Sequence, residues 1–401
     1  MTVFFFLFFF SFSTVRPLSY MLLPLLVLLW ARGWFDQKAR VDYREVWTKS
    51  VTLWAFLALG LLILVHAWGS AGEAEWIKTH LNKYARFFYG AMIIMILYNR
   101  PAWQKAAFYG FVSAMLFILA STWLNIWFLL PWSKSQNLGL GVSHHVFGDY
   151  LTQGLMMSFF AVVAMYKALD SRNKRQKFVW IAVSVLAVFS ITHLLQGRTG
   201  FLTLLAAALA CLVVITPGYR LLTAAVTLVG GFILVVLSSD LMVHRLSLMM
   251  TELQLFFTAG DYASSVGHRA YNWQTTMSLI AERPWLGHGT GAYHTEICRH
   301  IEPNIDCSVY NWHPHNQFLL LAADHGIIGA LLYAILIFSL FFVAKGSDDF
   351  GSKILLSALG VIVLVNSMIN SPIWSAIEGQ FSVFMIGLLV SSSLTLRRKK
   401  L

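Results

Sequence analysis

Long apolar runs alternate with short polar connections along almost the whole chain. The runs fall at 2–15, 18–34, 51–68, 84–98, 106–128, 151–169, 178–195, 201–216, 221–237, 316–344, 354–369 and 381–396. Each is close to, or somewhat shorter than, the ~20 residues that a helix needs to cross a bilayer. This pattern predicts an all-α polytopic membrane protein of about twelve spans. One connection is too long to be a simple link. Residues 238–315 separate a first group of about nine spans (1–237) from a last group of about three (316–401). Within it, Leu241, Leu246, Leu248, Met249, Leu253, Leu255 and Phe256 fit a helix over 238–257 lying at an interface. A second helix is expected over 271–280, ahead of Arg283-Pro284.

Composition agrees with the pattern. Of 401 residues, 58% are hydrophobic and only 12% are charged, against roughly 25% charged in soluble domains. The net charge of +11 does not point to nucleic acid, because the basic residues sit in short connections: Arg32, Lys38, Arg40, Arg44 and Lys49; Arg172, Lys174, Arg175 and Lys177; Arg397 to Lys400. Loops of this kind stay cytoplasmic. Both termini are therefore expected inside and the 238–315 loop outside. Residues 1–15 lack the basic start and small-residue cleavage site of a secretion signal and are read as the first span.

Chemistry concentrates in the outer loop. It holds His244, His268, His288, His294, His300, His313 and His315. Their spacing with Cys298 and Cys307 matches no zinc pattern, and in an oxidising compartment a Cys298–Cys307 disulfide is the better expectation. Cys211 lies inside a span and reads as a core residue. Gly287, Gly289 and Gly291 in GHGTG suggest backbone brought close to a phosphate or sugar, with a flexible turn as the bland alternative. At 310–329 the chain reads YNWHPHNQFLLLAADHGIIG. His313 and His315 bracket Pro314 at the mouth of a span, and Asn316 is placed to cap it. An interfacial His pair can simply anchor a helix end. Gly326 and Gly329, one turn apart, would allow a neighbouring helix to approach. Arg198 in QGRTG and Arg269 in GHRAYNW offer guanidiniums suited to phosphate oxygens, or to lipid headgroups alone.

Taken together, these segments resemble the bacterial O-antigen ligases and their superfamily. The resemblance rests on His315-Asn316, nine residues, then Gly326-Ile327-Ile328-Gly329; on Arg198-Thr199-Gly200; and on Arg269 followed by Glu282-Arg283-Pro284-Trp285-Leu286-Gly287-His288-Gly289-Thr290-Gly291. It covers 178–329 by motif and the whole chain by topology. It implies a GT-C-like membrane glycosyltransferase at the periplasmic face of the inner membrane. Such an enzyme joins O-antigen polysaccharide, carried on undecaprenyl pyrophosphate, to a sugar hydroxyl of lipid A–core, inverting and without metal or nucleotide cofactor. His315 is the implied general base, with His313 as second choice. Arg198 and Arg269 are implied to bind the donor pyrophosphate, and Asn316, Gly289 and Gly291 complete the expected substrate-binding set. The chemistry agrees: a sugar hydroxyl needs a base, and a leaving pyrophosphate needs fixed positive charge. No carboxylate can be assigned as partner to His315, since Asp324 lies nine residues along the next helix. An O-antigen polymerase or a protein O-oligosaccharyltransferase would share these parts. A transporter would place its ionisable groups at the membrane midplane instead, and a membrane scaffold would leave the placed His and Arg without a role.

Overall fold

A computed structural model describes residues 1–303 and 305–399; Asn304, Lys400 and Leu401, and with them the end of the basic C-terminal run, lie outside the described residues. These residues form helices and irregular connections, with no strand among them. In order, the α-helices are α1 (Thr2–Ser11), α2 (Arg16–Phe35), α3 (Gln37–Lys49), α4 (Val51–His66), α5 (Ala74–Tyr84), α6 (Arg86–Leu97), α7 (Pro101–Leu124), α8 (Tyr150–Asp170), α9 (Lys174–His193), α10 (Arg198–Ile215), α11 (Gly218–Leu237), α12 (Asp240–Ala259), α13 (Ser265–Glu282), α14 (Tyr293–Glu296), α15 (Gln317–Lys345), α16 (Phe350–Ile369) and α17 (Ala376–Arg398).

Every apolar run of the sequence is a helix. Nine helices among the described residues are long and apolar enough to cross a membrane, or ten if the bent pair α3–α4 counts as one span. The chain is a multi-pass membrane protein. The difference from twelve lies in α1, α4 and α6. At 10 residues, α1 reaches only about 15 Å, half of a ~30 Å hydrocarbon core. It is Phe-rich because it is buried rather than spanning: Phe8, Phe9 and Phe12 pack on Phe384 of α17. The 12-residue α6 is prolonged by α5, since the one residue between them, Ala85, keeps helical angles.

The polar connection after α2 is itself a helix, α3, capped by the Asp36 side chain and bent 86° from α4. Its buried positions Ala39, Asp42, Tyr43 and Val46 recur at helical spacing. Asp42 receives Arg100 at 3.0 Å and Arg398 at 2.7 Å. Three basic segments far apart in sequence thus meet on one face of the bundle.

The centre of the fold is α17, in which every residue from Ile377 to Ser391 is buried. It packs against α6, α7, α8, α15 and α16. Helix α15 is broken at Gly326, whose φ of 67° and ψ of −174° are open to glycine only. A Cβ there would collide with the backbone of Trp285 and Leu286. The expectation of helix-to-helix approach at Gly326 and Gly329 is therefore corrected. What approaches Gly326 is the 284–286 loop, with the Ile327 N–H donating to the Pro284 carbonyl at 2.8 Å, and Gly329 faces only its own helix.

Candidate functional site

The site lies on the face opposite Asp42, where the 238–316 segment folds over the ends of α5, α10, α15 and α17. Its loop is held at several points. The Trp273 indole N–H donates to the Pro314 carbonyl at 2.8 Å. The Asn316 side chain caps α15 by accepting the N–H groups of Phe318 and Leu319, as the sequence predicts, and its amide donates to the Met368 carbonyl at 3.0 Å. The His315 N–H donates to Nδ1 of His313 at 3.1 Å. His315 itself sits at φ 51°. That left-handed conformation costs a branched-Cβ-free but ordinary L-residue about 1–2 kcal/mol and persists only where the surroundings fix it.

The rings of His313 and His315 are 4.3 Å apart. Burial, then the charge of Arg269, pushes His315 down to about 3, while a contact with the Asn370 side chain acts the other way. Burial and the neighbouring His315 push His313 down to about 2. Both rings are neutral at physiological pH. Nδ1 of His315 is buried and has no hydrogen-bond partner among the described residues. Behind Asn370 stands the carboxylate of Glu378, which accepts from Asn366 at 2.9 Å, Asn370 at 3.2 Å and Thr152 at 3.0 Å.

The two arginines are brought to the same place. Arg198 opens α10, whose N-cap position is Gly197 without a capping side chain. Its guanidinium donates to the Ser265 hydroxyl at 3.2 Å and lies 3.8 Å from Glu252. Arg269, one turn further along α13 than Ser265, is pushed down from the ordinary arginine range by burial and by Arg198. Two guanidiniums close enough to oppose each other, with one long carboxylate contact between them, form a site suited to an anion.

The glycine-rich segment has a different place. Gly289 donates its N–H to the Asp324 carbonyl at 2.8 Å, and Gly291 donates to the Asp324 carboxylate at 3.2 Å. Both have positive φ, and a Cβ would strike Ser70 at Gly289 and the α5 backbone at Gly291. Packing accounts for these glycines, and their amides are already engaged within the protein.

Sequence reasoning missed the cluster behind this segment. Asp324 accepts the Tyr293 N–H at 2.8 Å and stands 3.0 Å from Nδ1 of His80. Nε2 of His80 lies 2.8 Å from Nε2 of His294, and Nδ1 of His294 donates to the Asn311 carbonyl. A carbonyl only accepts, so the proton of His294 is on Nδ1 and its Nε2 accepts from His80. All three side chains are buried. Asp324 therefore serves not His315 but the frame that holds Asn311 two residues before His313. His80 falls in the polar connection between the apolar runs 51–68 and 84–98, where no local pattern marks it. Cys298 and Cys307 form a disulfide, as expected, and so are spent as ligands.

Comparison with known proteins bears directly on these residues. Residues 191–334, which contain Arg198, Arg269, the glycine-rich segment, His313, His315 and Asn316, match the family described as O-Antigen ligase. A Rickettsia conorii protein, "Putative polysaccharide ligase RC0486", is 23% identical over 361 residues, spanning 85% of this chain and 79% of that protein. Among solved structures, a chain from a peptidoglycan synthase complex is loosely alike, at 16% identity and a TM-score of 0.46, over 87% of this chain and 97% of that one. The segment that carries the candidate site, residues 191–334, is thus the part of the chain that is similar to the O-antigen ligase family.

Proposed function

We propose that the protein is an O-antigen ligase of the bacterial inner membrane, transferring O-antigen polysaccharide from undecaprenyl pyrophosphate to a sugar hydroxyl of lipid A–core and so completing lipopolysaccharide. The observation that carries this reading is the meeting of a neutral, partly unpartnered His315 with Arg269 and Arg198 inside the family-matched segment. The acceptor hydroxyl gives its proton to His315, with Nδ1 the nitrogen free to take it. The acceptor oxygen bonds to the anomeric carbon from the face opposite the pyrophosphate. The anomeric C–O bond breaks, its electron pair leaves with undecaprenyl pyrophosphate, and the anomeric configuration inverts. Arg198, Arg269 and the open N-terminus of α10 take up the phosphate charge.

The low basicity of His315 in the free site fits this order of events. Arg269 is the largest charge holding its protonated form down. A pyrophosphate seated on Arg269 cancels that field, so the base strengthens when the donor arrives. The reaction needs no nucleotide, because the pyrophosphate leaving group supplies the driving force. In this reading the site faces the periplasm, and the basic face around Asp42, with both termini, is cytoplasmic.

The test is to delete the gene in its host and examine lipopolysaccharide by gel. Uncapped lipid A–core with long polymer retained on the undecaprenyl carrier is the expected result. Single repeat units on the core, with long chains lost, would make the protein a polymerase instead.

A further inference from the structure

His313 and His315 divide the site into two chemically different sides. The charges acting on His315 are Arg269 and His268, whereas His313 also feels Lys83 and His294. The side beyond His313 is a wall built from three elements: Trp76 and Lys83 of α5, Trp312 of the histidine loop, and Trp374 between α16 and α17. Trp76 lies 6.0 Å from Trp312, and Trp312 lies 5.6 Å from Trp374, centroid to centroid. Trp76 is stacked on His294 at 3.8 Å, so the Asp324–His80–His294 frame fixes the wall as well as the loop. Trp374 is buried, but Trp312 is 54% exposed. Lys83 Nζ stands 3.2 Å from the centre of the Trp374 ring and 5.5 Å from that of Trp312. Among the described residues no carboxylate lies within ion-pair distance of it.

We propose that Lys83 and Trp312 form an acceptor subsite for an anionic glycan, in which a pyranose ring lies on the open face of Trp312 and its phosphate or carboxylate meets the Lys83 ammonium. The assignment rests on the ligase reading to this extent: a base must stand between donor and acceptor, and the guanidinium side is already suited to the donor. The wall supplies the rest. An exposed indole offers the flat apolar face that the C–H side of a sugar covers, with one fixed polar group to orient it. The Trp374 ring attracts the Lys83 ammonium from one side only and leaves N–H donors for a ligand. Burial, together with Arg86, pushes Lys83 down to about 7, so an arriving anion restores a charge that its surroundings disfavour.

The experiment measures binding, not turnover. The full chain in phosphatidylcholine nanodiscs is titrated with three oligosaccharides of equal length: a neutral gluco-oligosaccharide, one bearing glucuronate and one bearing a phosphate monoester. At least one anionic glycan should bind more tightly than the neutral one, and the preference between the two identifies the anion. Lys83→Gln should weaken the preferred anionic glycan by about tenfold, the loss of one charge-assisted contact, and leave the neutral one unchanged. Trp312→Ala should weaken all three, and Trp312→Phe should recover part of the loss. Lys83→Arg keeps the charge and should keep the anionic preference, which carries the test if the glutamine variant does not fold. Equal binding of anionic and neutral glycans to the wild type, or unchanged anionic binding in Lys83→Gln, would overturn the subsite. Anionic preference in a protein whose deletion leaves lipopolysaccharide unaltered would sink the ligase reading and leave the glycan site standing. Intact ligation without that preference would do the reverse.

Discussion

Nε2 of His80 and Nε2 of His294 stand 2.8 Å apart in the interior of the protein. One belongs to α5 and the other to the segment after α13, and Asp324 of α15 closes the chain behind them. Two imidazole nitrogens at this distance share one proton, and the frame works only while Asp324 is present to face the far nitrogen of His80.

Asp324→Asn should therefore destabilise the protein more than any change at the reacting groups. Asparagine keeps only one of the two carboxylate oxygens, so of the Tyr293 and Gly291 amides one loses its acceptor, and the contact to His80 loses its carboxylate; each buried polar group left unpaired costs about 1–3 kcal/mol. A thermal shift in detergent would show it as a large drop in melting temperature. An unchanged melting temperature would mean that the frame bears no load.

At His315, backbone and side chain make opposite demands. His315→Ala should abolish ligation and also retain the strain of a positive φ. His315→Gly should abolish ligation equally but relieve that strain, leaving it more stable than the alanine variant by about 1 kcal/mol. Comparing the two melting temperatures separates the ring's chemical role from its backbone role. Activity in either variant would remove the base assignment.

Acid should destabilise the fold through the same pair. Burial, with Arg269 and the neighbouring histidines, holds His313 near 2 and His315 near 3, whereas the unfolded chain binds these protons near pH ~6.5. The unfolded state thus takes up more protons below that pH, so the stability these rings contribute is complete above about 6.5 and is lost progressively as pH falls toward 3. Melting temperature measured from pH 8 down to 5 should decline below about 6.5, and His313→Gln should flatten the decline. Equal slopes in wild type and variant would argue that neither ring is held neutral.

Arg198 and Arg269 should act on one anion. Alanine at either should lower kcat/KM for the lipid-linked donor by about 10²–10³-fold, the scale for losing one fixed donor to developing charge. The double variant should lose much less than the product of the two, because they serve the same group. Lys at 269 should restore only part, since an ammonium lacks the planar fork. Multiplicative losses measured with purified protein would place the two arginines on different groups.

The sequence makes the helices legible and leaves their lengths uncertain. All twelve apolar runs are helices because burial in lipid or in protein demands the same internal hydrogen bonding of the backbone. For that reason hydropathy could not distinguish α1, buried on α7 and α17, from a span. The charged run 37–49 hid α3, whose apolar stripe is narrow and interrupted by lysines and arginines. In the site, His315, Arg198 and Arg269 were legible because they lie in a recognisable linear order. His80, Lys83, Asn370 and Glu378 were not. They come from segments hundreds of residues apart and meet only through the packing of α5, α16 and α17. The glycine-rich segment was legible as special but not in its role, since a glycine that admits a ligand and one that admits Ser70 look alike in a sequence.

The right-angled turn at Ser50 sets a waterline. A rod as apolar as α4 seeks the bilayer interior, and the lysines and arginines along α3 refuse it. With 86° between them, the protein can neither sink nor rise without dragging one rod into the wrong medium. Because α4 hands its last carbonyls, from Ile63 and His66, to Thr290, that fixed draught is transmitted to the other end of the molecule. There it fixes the glycine-rich segment, and through the Gly289 and Gly291 amides Asp324 as well, at a set distance from the α3–α4 corner.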